Sequence, residues 1–237
     1  MRLAIIVDGG FILRIALKKH GLQFENTELA DALHKWLTRT LPESLGEALN
    51  REIFLFRIYY YDCYPYIGTI KNPFNGVSKE SRETQRTVFL DTLSRKSHVF
   101  FKAGRLSISG WKVKDLNKKV LEQTALSGDD MEPQFQQKGI DVQISLDVGQ
   151  LVHQKSVDSL IFITGDSDFV PIMNHARQQG VLVYLCHLGR PLSQELLAAN
   201  DMLLTTEYDG VSYTMNGGKS VPVNLARVNQ ENQYNIS

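Results

Sequence analysis

The sequence predicts an α/β protein built on a doubly wound, mostly parallel sheet, and two features predict it. Three short apolar runs, LAIIV at 3–7, SLIFIT at 159–164 and VLVYLCHL at 181–188, lack the alternation of a half-exposed strand and fit strands buried on both faces. Helical patterns follow each run, and strand–helix–strand alternation demands right-handed crossovers over a shared sheet.

The elements follow in order. LAIIV ends at Asp8 and Gly9–Gly10, and FILRIALKKHG at 11–21 reads as a helix closed by Gly21. Thr27 is a fitting N-cap for a second helix through ELADALHKWLTRTL, whose apolar positions are 29, 33, 36 and 37. EIFLFRIYYYDC at 52–63 is rich in β-branched and aromatic residues and predicts a strand. Residues 65–76, broken by Pro and Gly, predict a loop, and 79–96 a helix with a basic face. HVFFKAGRLSI and SGWKVKDL predict two strands turning near Ser109–Gly110, and the polar stretch 117–137 a mobile connection. Periodicity returns in a helix over 139–156, with apolar residues at 140, 144, 148, 151 and 152. After SLIFIT comes the helix DSDFVPIMNHARQQG, then VLVYLCHL and a short helix capped by Ser193. These boundaries define one α/β domain over 1–206, with 60–137 as a variable, basic, mixed insertion and 207–237 as a polar tail or edge hairpin.

Composition narrows the class. At 237 residues, 43% hydrophobic and 22% charged, the chain is an ordinary globular sequence. Two distant cysteines, Cys63 and Cys186, point to a reduced, cytoplasmic protein. No apolar run is long enough for a membrane span, and the first residues lack the pattern of a secretory signal. The net charge of zero hides an asymmetry: residues 51–119 carry 14 Lys and Arg against 6 Asp and Glu, and residues 120–237 carry the reverse. A basic region beside an acidic one suits an enzyme acting on a polyanion, although two such regions can also simply attract each other.

The acids are placed where α/β sheets bind ligands. Asp8 ends the first buried run, Asp166 and Asp168 follow the run ending at Thr164, and Asp141 opens the helix before that run. Clustered hard oxygen donors suit Mg²⁺ or Mn²⁺ and the hydrolysis of a phosphodiester. The competing reading makes Asp8 a turn residue and the GDSD acids helix caps. Asp147 stands six residues after Asp141, about 120° around the helix, so the two cannot both face one site: Asp147 is either a metal-site acid behind the ligands or a surface charge. The six histidines stand at no metal-ligand spacing, and there is no Walker loop or GxGxxG.

The segments IIVDGGF at 5–11, KGIDVQISLD at 138–147 and LIFITGDSDFVPIMNHARQQGVLVYL at 160–185 resemble the LabA-like branch of the NYN domain family, within the PIN-like nuclease superfamily. The resemblance implies a PIN-like fold, a Mg²⁺ or Mn²⁺ cofactor and cleavage of RNA. It implies Asp8, Asp141, Asp166 and Asp168 as catalytic metal ligands, Asp147 as a further acid of the same helix, and Lys138 as a phosphate contact. One departure stands out: many NYN members carry Asn shortly after the first Asp, and this chain has Gly10 and Phe11.

The leading expectation is therefore a metal-dependent endoribonuclease whose basic segment tracks RNA, with Arg82, Arg86, Arg105 and Lys112 among the contacts. Tyr59, Tyr60, Tyr61, Phe101 and Trp111 are either base-stacking groups or, as strands favour, core. The alternative is a non-catalytic regulator of the same fold that binds RNA or a protein partner. A haloacid-dehalogenase-like phosphatase fits poorly, since Gly10 stands where its second Asp belongs. The sequence leaves homo-oligomerisation open.

Overall fold

In a computed structural model, which describes residues 1–20, 27–81, 85–116 and 125–204, the apolar run after Met1 becomes the central strand β1 (Arg2–Asp8), with Leu3 to Val7 fully buried. Its parallel neighbours are β2 (Phe54–Cys63) and β7 (Ser159–Ile163). Beyond β7 lie β8 (Leu182–Cys186) and β9 (Met202–Leu204), both parallel. Beyond β2 lie β5 (Val99–Val113) and the antiparallel edge strand β6 (Met131–Lys138), giving the seven-stranded order β6-β5-β2-β1-β7-β8-β9. A separate hairpin joins β3 (Gly68–Lys71) to β4 (Ser78–Ser81).

Helices cover both faces, as buried-on-both-sides strands require. Helix α1 (Gly9–His20), α2 (Thr27–Lys35), a π-helical turn at Trp36–Thr40, α3 (Leu41–Leu49) and α4 (Gln85–Ser94) bury Ile12, Leu33, Leu37, Leu45 and Phe89 against Leu3, Ile5 and Val7. Helices α5 (Ile140–His153), α6 (Val170–Gln178) and α7 (Gln194–Ala198) bury Ile144, Val148, Met173 and Leu196 against Ala4 and Ile6 on the other face. The molecule is thus a three-layer, doubly wound α/β structure. Among the described residues no helix is long and apolar enough to cross a membrane.

Four elements differ from the sequence expectation. The turn expected at Ser109–Gly110 is absent: β5 runs straight through, and a bulge between Ile108 and Gly110 absorbs the irregularity with Gly110 at φ +157°. Residues 131–137, expected in a mobile connection, form β6 together with Lys138. As an edge strand held by backbone bonds, it needs no apolar alternation and tolerates Pro133. Residues 68–71, expected in a loop, form β3. Ser78–Ser81 is strand where a helix was expected, and the helix occupies Gln85–Ser94. The expected tail at 207–237 and residues 117–124 lie outside the described residues. Tyr59, Tyr60 and Tyr61 are core, at 6%, 0% and 0% exposure, so the strand reading of these aromatics holds over base stacking.

Helix α5 docks on β5 at Gly104, where a Cβ would come 2.5 Å from Ile140 Cδ1 and 2.8 Å from Cys63 Sγ. Gly104→Ala is expected to overpack this contact and cost about 1–3 kcal/mol. A urea-unfolding midpoint that falls with an unchanged slope is the expected result, and an unshifted midpoint would show that α5 does not rest on Gly104.

Candidate active site

Strand order creates the crevice. From β1 the chain enters α1 on one face, and from β7 it enters α6 on the other, so the loops diverge above two adjacent strands. Such a switch point is where open α/β sheets take ligands. Val7 and Ile163 are register partners, so Asp8 and the segment Thr164–Asp168 emerge side by side.

Hydrogen bonds tie the two strand ends together. Thr164 Oγ1 donates to Asp8 Oδ2 at 3.4 Å and accepts from the Asp166 backbone N–H at 3.1 Å. Asp8 Oδ1 accepts from Phe11 N at 3.0 Å, and Asp166 Oδ1 accepts from Asp168 N at 3.0 Å. Both acids therefore do cap the turns that follow them, as the competing reading expects, while the charge of Asp166 acts on Asp8 across the two strand ends. The Phe11 ring lies under the GDSD turn, where a Cβ on Gly165 would come 2.6 Å from its Cε2. In this chain that position is thus used for packing.

Asp141 sits in the first turn of α5, whose start turns on Gly139 at φ +84°. Desolvation, then the charges of Asp166 and Asp168, raise its carboxyl above the ordinary Asp range. Asp8, half-buried, is raised chiefly by burial; the Phe11 N–H and Arg14 oppose this, and the charges of Asp62 and Asp166 add to it. Asp8, Asp141, Asp166 and Asp168 thus belong to one electrostatic neighbourhood. Among the described residues, no three Asp, Glu, His or Cys side chains close around a single point as a preformed ion cage.

Asp147 faces elsewhere, as its angle from Asp141 requires. It accepts from Tyr61 Oη at 2.8 Å and pairs with Lys102 Nζ at 3.3 Å, fastening α5 to β2 and β5. Lys138 ends β6, exposed, in register with exposed Arg105, at the β6 end nearest the crevice. Lys112 is seven residues further along the β5–β6 ribbon and is paired with Glu132 at 3.1 Å. Arg86 Nη2 is bound to Asp62 at 2.6 Å, and Arg82 lies outside the described residues.

Sequence reasoning missed Asp62, Thr164 and Gln137. Asp62 follows a buried strand run just as Asp8 does, and that shared position was the available signal. It is fully buried, with its carboxyl raised by desolvation against the opposing pull of Arg86. Thr164 and Gln137 carry no sequence signal, because their role depends on which strands become neighbours.

The mostly parallel seven-stranded sheet with helices on both faces is consistent with a PIN-like NYN fold. The NYN domain model matches residues 79–207, more than half of the 237-residue chain, and the chain belongs to that family. The match covers Asp141, Asp166 and Asp168, while Asp8 joins them through the pairing of β1 with β7. No curated protein matches. Among solved structures, the chain is similar to a protein of unknown function from Vibrio parahaemolyticus at 16% identity and a TM-score of 0.45, over 89% of this chain and 94% of that one.

The raised Asp8 carboxyl has a consequence for stability. Below the ordinary Asp range the group is neutral in both folded and unfolded chains, and as pH rises through its elevated folded value the native state loses stability. Asp8→Asn keeps an acceptor for Phe11 N–H and removes the charge. In metal-free buffer the variant is expected to melt above the parent at neutral pH and level with it in acid. A melting difference that does not change with pH would contradict the assignment.

Proposed function

We propose that the chain is a divalent-metal-dependent endoribonuclease of the LabA-like branch of its family, acting at Asp8, Asp141, Asp166 and Asp168. The observation that carries the reading is the Thr164 bridge, which ties the Asp8 and Asp166 turns together at the sheet's switch point. Carboxylates repelling one another at one mouth call for a compensating cation. The donor set, all hard oxygen, fits Mg²⁺ or Mn²⁺. Mg²⁺ is commonly held by one or two carboxylates together with water and substrate phosphate. When bound, the ion supplies charge neutralisation at a phosphoryl oxygen and an acidified water.

The protein's own part is positional. Backbone N–H groups of Phe11 and Asp168 fix the Asp8 and Asp166 carboxylates before substrate arrives. Exposed Lys138 and Arg105, together at the inner end of the ribbon, offer cations to an entering polyanion. Asp147, engaged by Tyr61 and Lys102, serves α5 placement rather than an ion. RNA is the proposed partner and the cytoplasm the proposed location. A second reading, a regulator that binds RNA or protein without cleaving, draws on Phe11 being committed to packing against Gly165.

Cleavage of a labelled RNA in Mn²⁺ separates the two. Asp8→Asn and Asp166→Asn are each expected to lower the rate by more than about 100-fold, beyond the 10–100-fold typical of residues that only support metal ligands. Asp147→Asn is expected to fall within that lesser range. Cleavage that survives both of the first two changes would contradict the assignment, and a parent without activity would favour the regulator.

A further inference from the structure

The Asp62 carboxylate is buried to 0% exposure, yet the reading above gives it no task. Its Oδ1 accepts from Cys63 N at 2.7 Å and Arg86 Nη2 at 2.6 Å, with a longer contact of 3.4 Å from Gln137 Nε2. Its Oδ2 is buried without a hydrogen-bond partner and lies directly beneath the turn after Asp8: a Cβ on Gly9 would fall 2.7 Å from it. A buried acceptor left unsatisfied is costly, and a neutral residue would pack there at less cost. Structure alone therefore does not account for a carboxylate at this position.

What Asp62 holds does account for it. Arg86 reaches it from α4 and is partly exposed, at 28% of its side chain. Gln137 reaches it from β6, and the Gln137 carboxamide also borders the space above Gly10: a Cβ there would lie 3.5 Å from Gln137 Oε1 and 3.4 Å from Asp8 Oδ1. One guanidinium and one carboxamide are thus gathered on Asp62, whose carboxylate lies beneath the turn after Asp8. A guanidinium fork matches phosphate oxygens in geometry and charge.

We infer that Asp62 is a positioning residue, which holds Arg86 and Gln137 at the end of β2 as donors to a phosphate of bound RNA. The inference rests on the proposed ribonuclease reading for its substrate class and not for cleavage. The test is binding of a labelled single-stranded oligoribonucleotide in EDTA across a salt series. Arg86→Ala is expected to weaken binding about 10-fold and to reduce the slope of log K against log salt by about 0.7, the value for one phosphate contact on a single strand. Asp62→Asn is expected to do the same, and the double variant to lose less than the sum of the two single losses, because Asp62 acts through Arg86 and Gln137. Gln137→Ala is expected to weaken binding with the slope unchanged.

An unchanged slope in Arg86→Ala, or additive losses in the double variant, would overturn the inference and leave Asp62 a packing residue. Should Asp62→Asn fail to fold, Arg86→Lys decides: restored slope without restored affinity supports the forked contact, and full restoration of both overturns it. A parent that binds RNA in this way but cleaves none in Mn²⁺ would sink the nuclease reading and leave this one standing. A parent that binds no RNA would sink both.

Discussion

The parallel pairing of β1 with β7 is the constraint on which the rest depends. These strands are distant in sequence, and their register puts Val7 opposite Ile163. Because the next helix leaves to one face from β1 and to the other from β7, the connections diverge at that seam, where open α/β sheets take ligands. The Thr164 hydroxyl then links the turn carrying Asp8 to the turn carrying Asp166. Shifting the register by one residue would turn Asp8 to the opposite face of the sheet and dissolve the site.

The surrounding structure holds like charges in place. Asp8 and Asp141 both have their carboxyls pushed upward, first by desolvation and then by neighbouring acids. The unfavourable charge is borne by the buried sheet, whose apolar strands and two helical layers supply the stability. Asp147 shows the contrasting arrangement, a carboxylate satisfied by a hydroxyl and an ammonium and used to fasten a helix. The same residue type on the same helix thus serves two purposes, and the helical angle between positions 141 and 147 separates them.

Much of this was legible in the amino-acid sequence, and the reasons for the remainder are physical. β1, β7 and β8 are apolar on both faces, a local signal that survives without knowledge of neighbours. Their terminal acids were therefore visible as a candidate site. β6 was not legible, since an edge strand of Met, Glu, Pro and Gln is stabilised by backbone bonds to β5 that leave no side-chain pattern. β5 was read as two strands because Gly110 looks the same in a bulge as in a turn. Arg86 was visible as a basic residue, but its ion pair with Asp62 depends on α4 packing over the end of β2. Contacts of that kind arise from tertiary placement and have no local signature.

Asp8 and Asp166, far apart in the chain, are proposed to serve one divalent ion. Mn²⁺ titration followed by electron paramagnetic resonance tests it most directly, on the parent, on each single Asn variant and on the double variant. A saturable site is expected in the parent that either single change weakens, with the double variant losing no second site. Full Mn²⁺ occupancy retained by both single variants would contradict it.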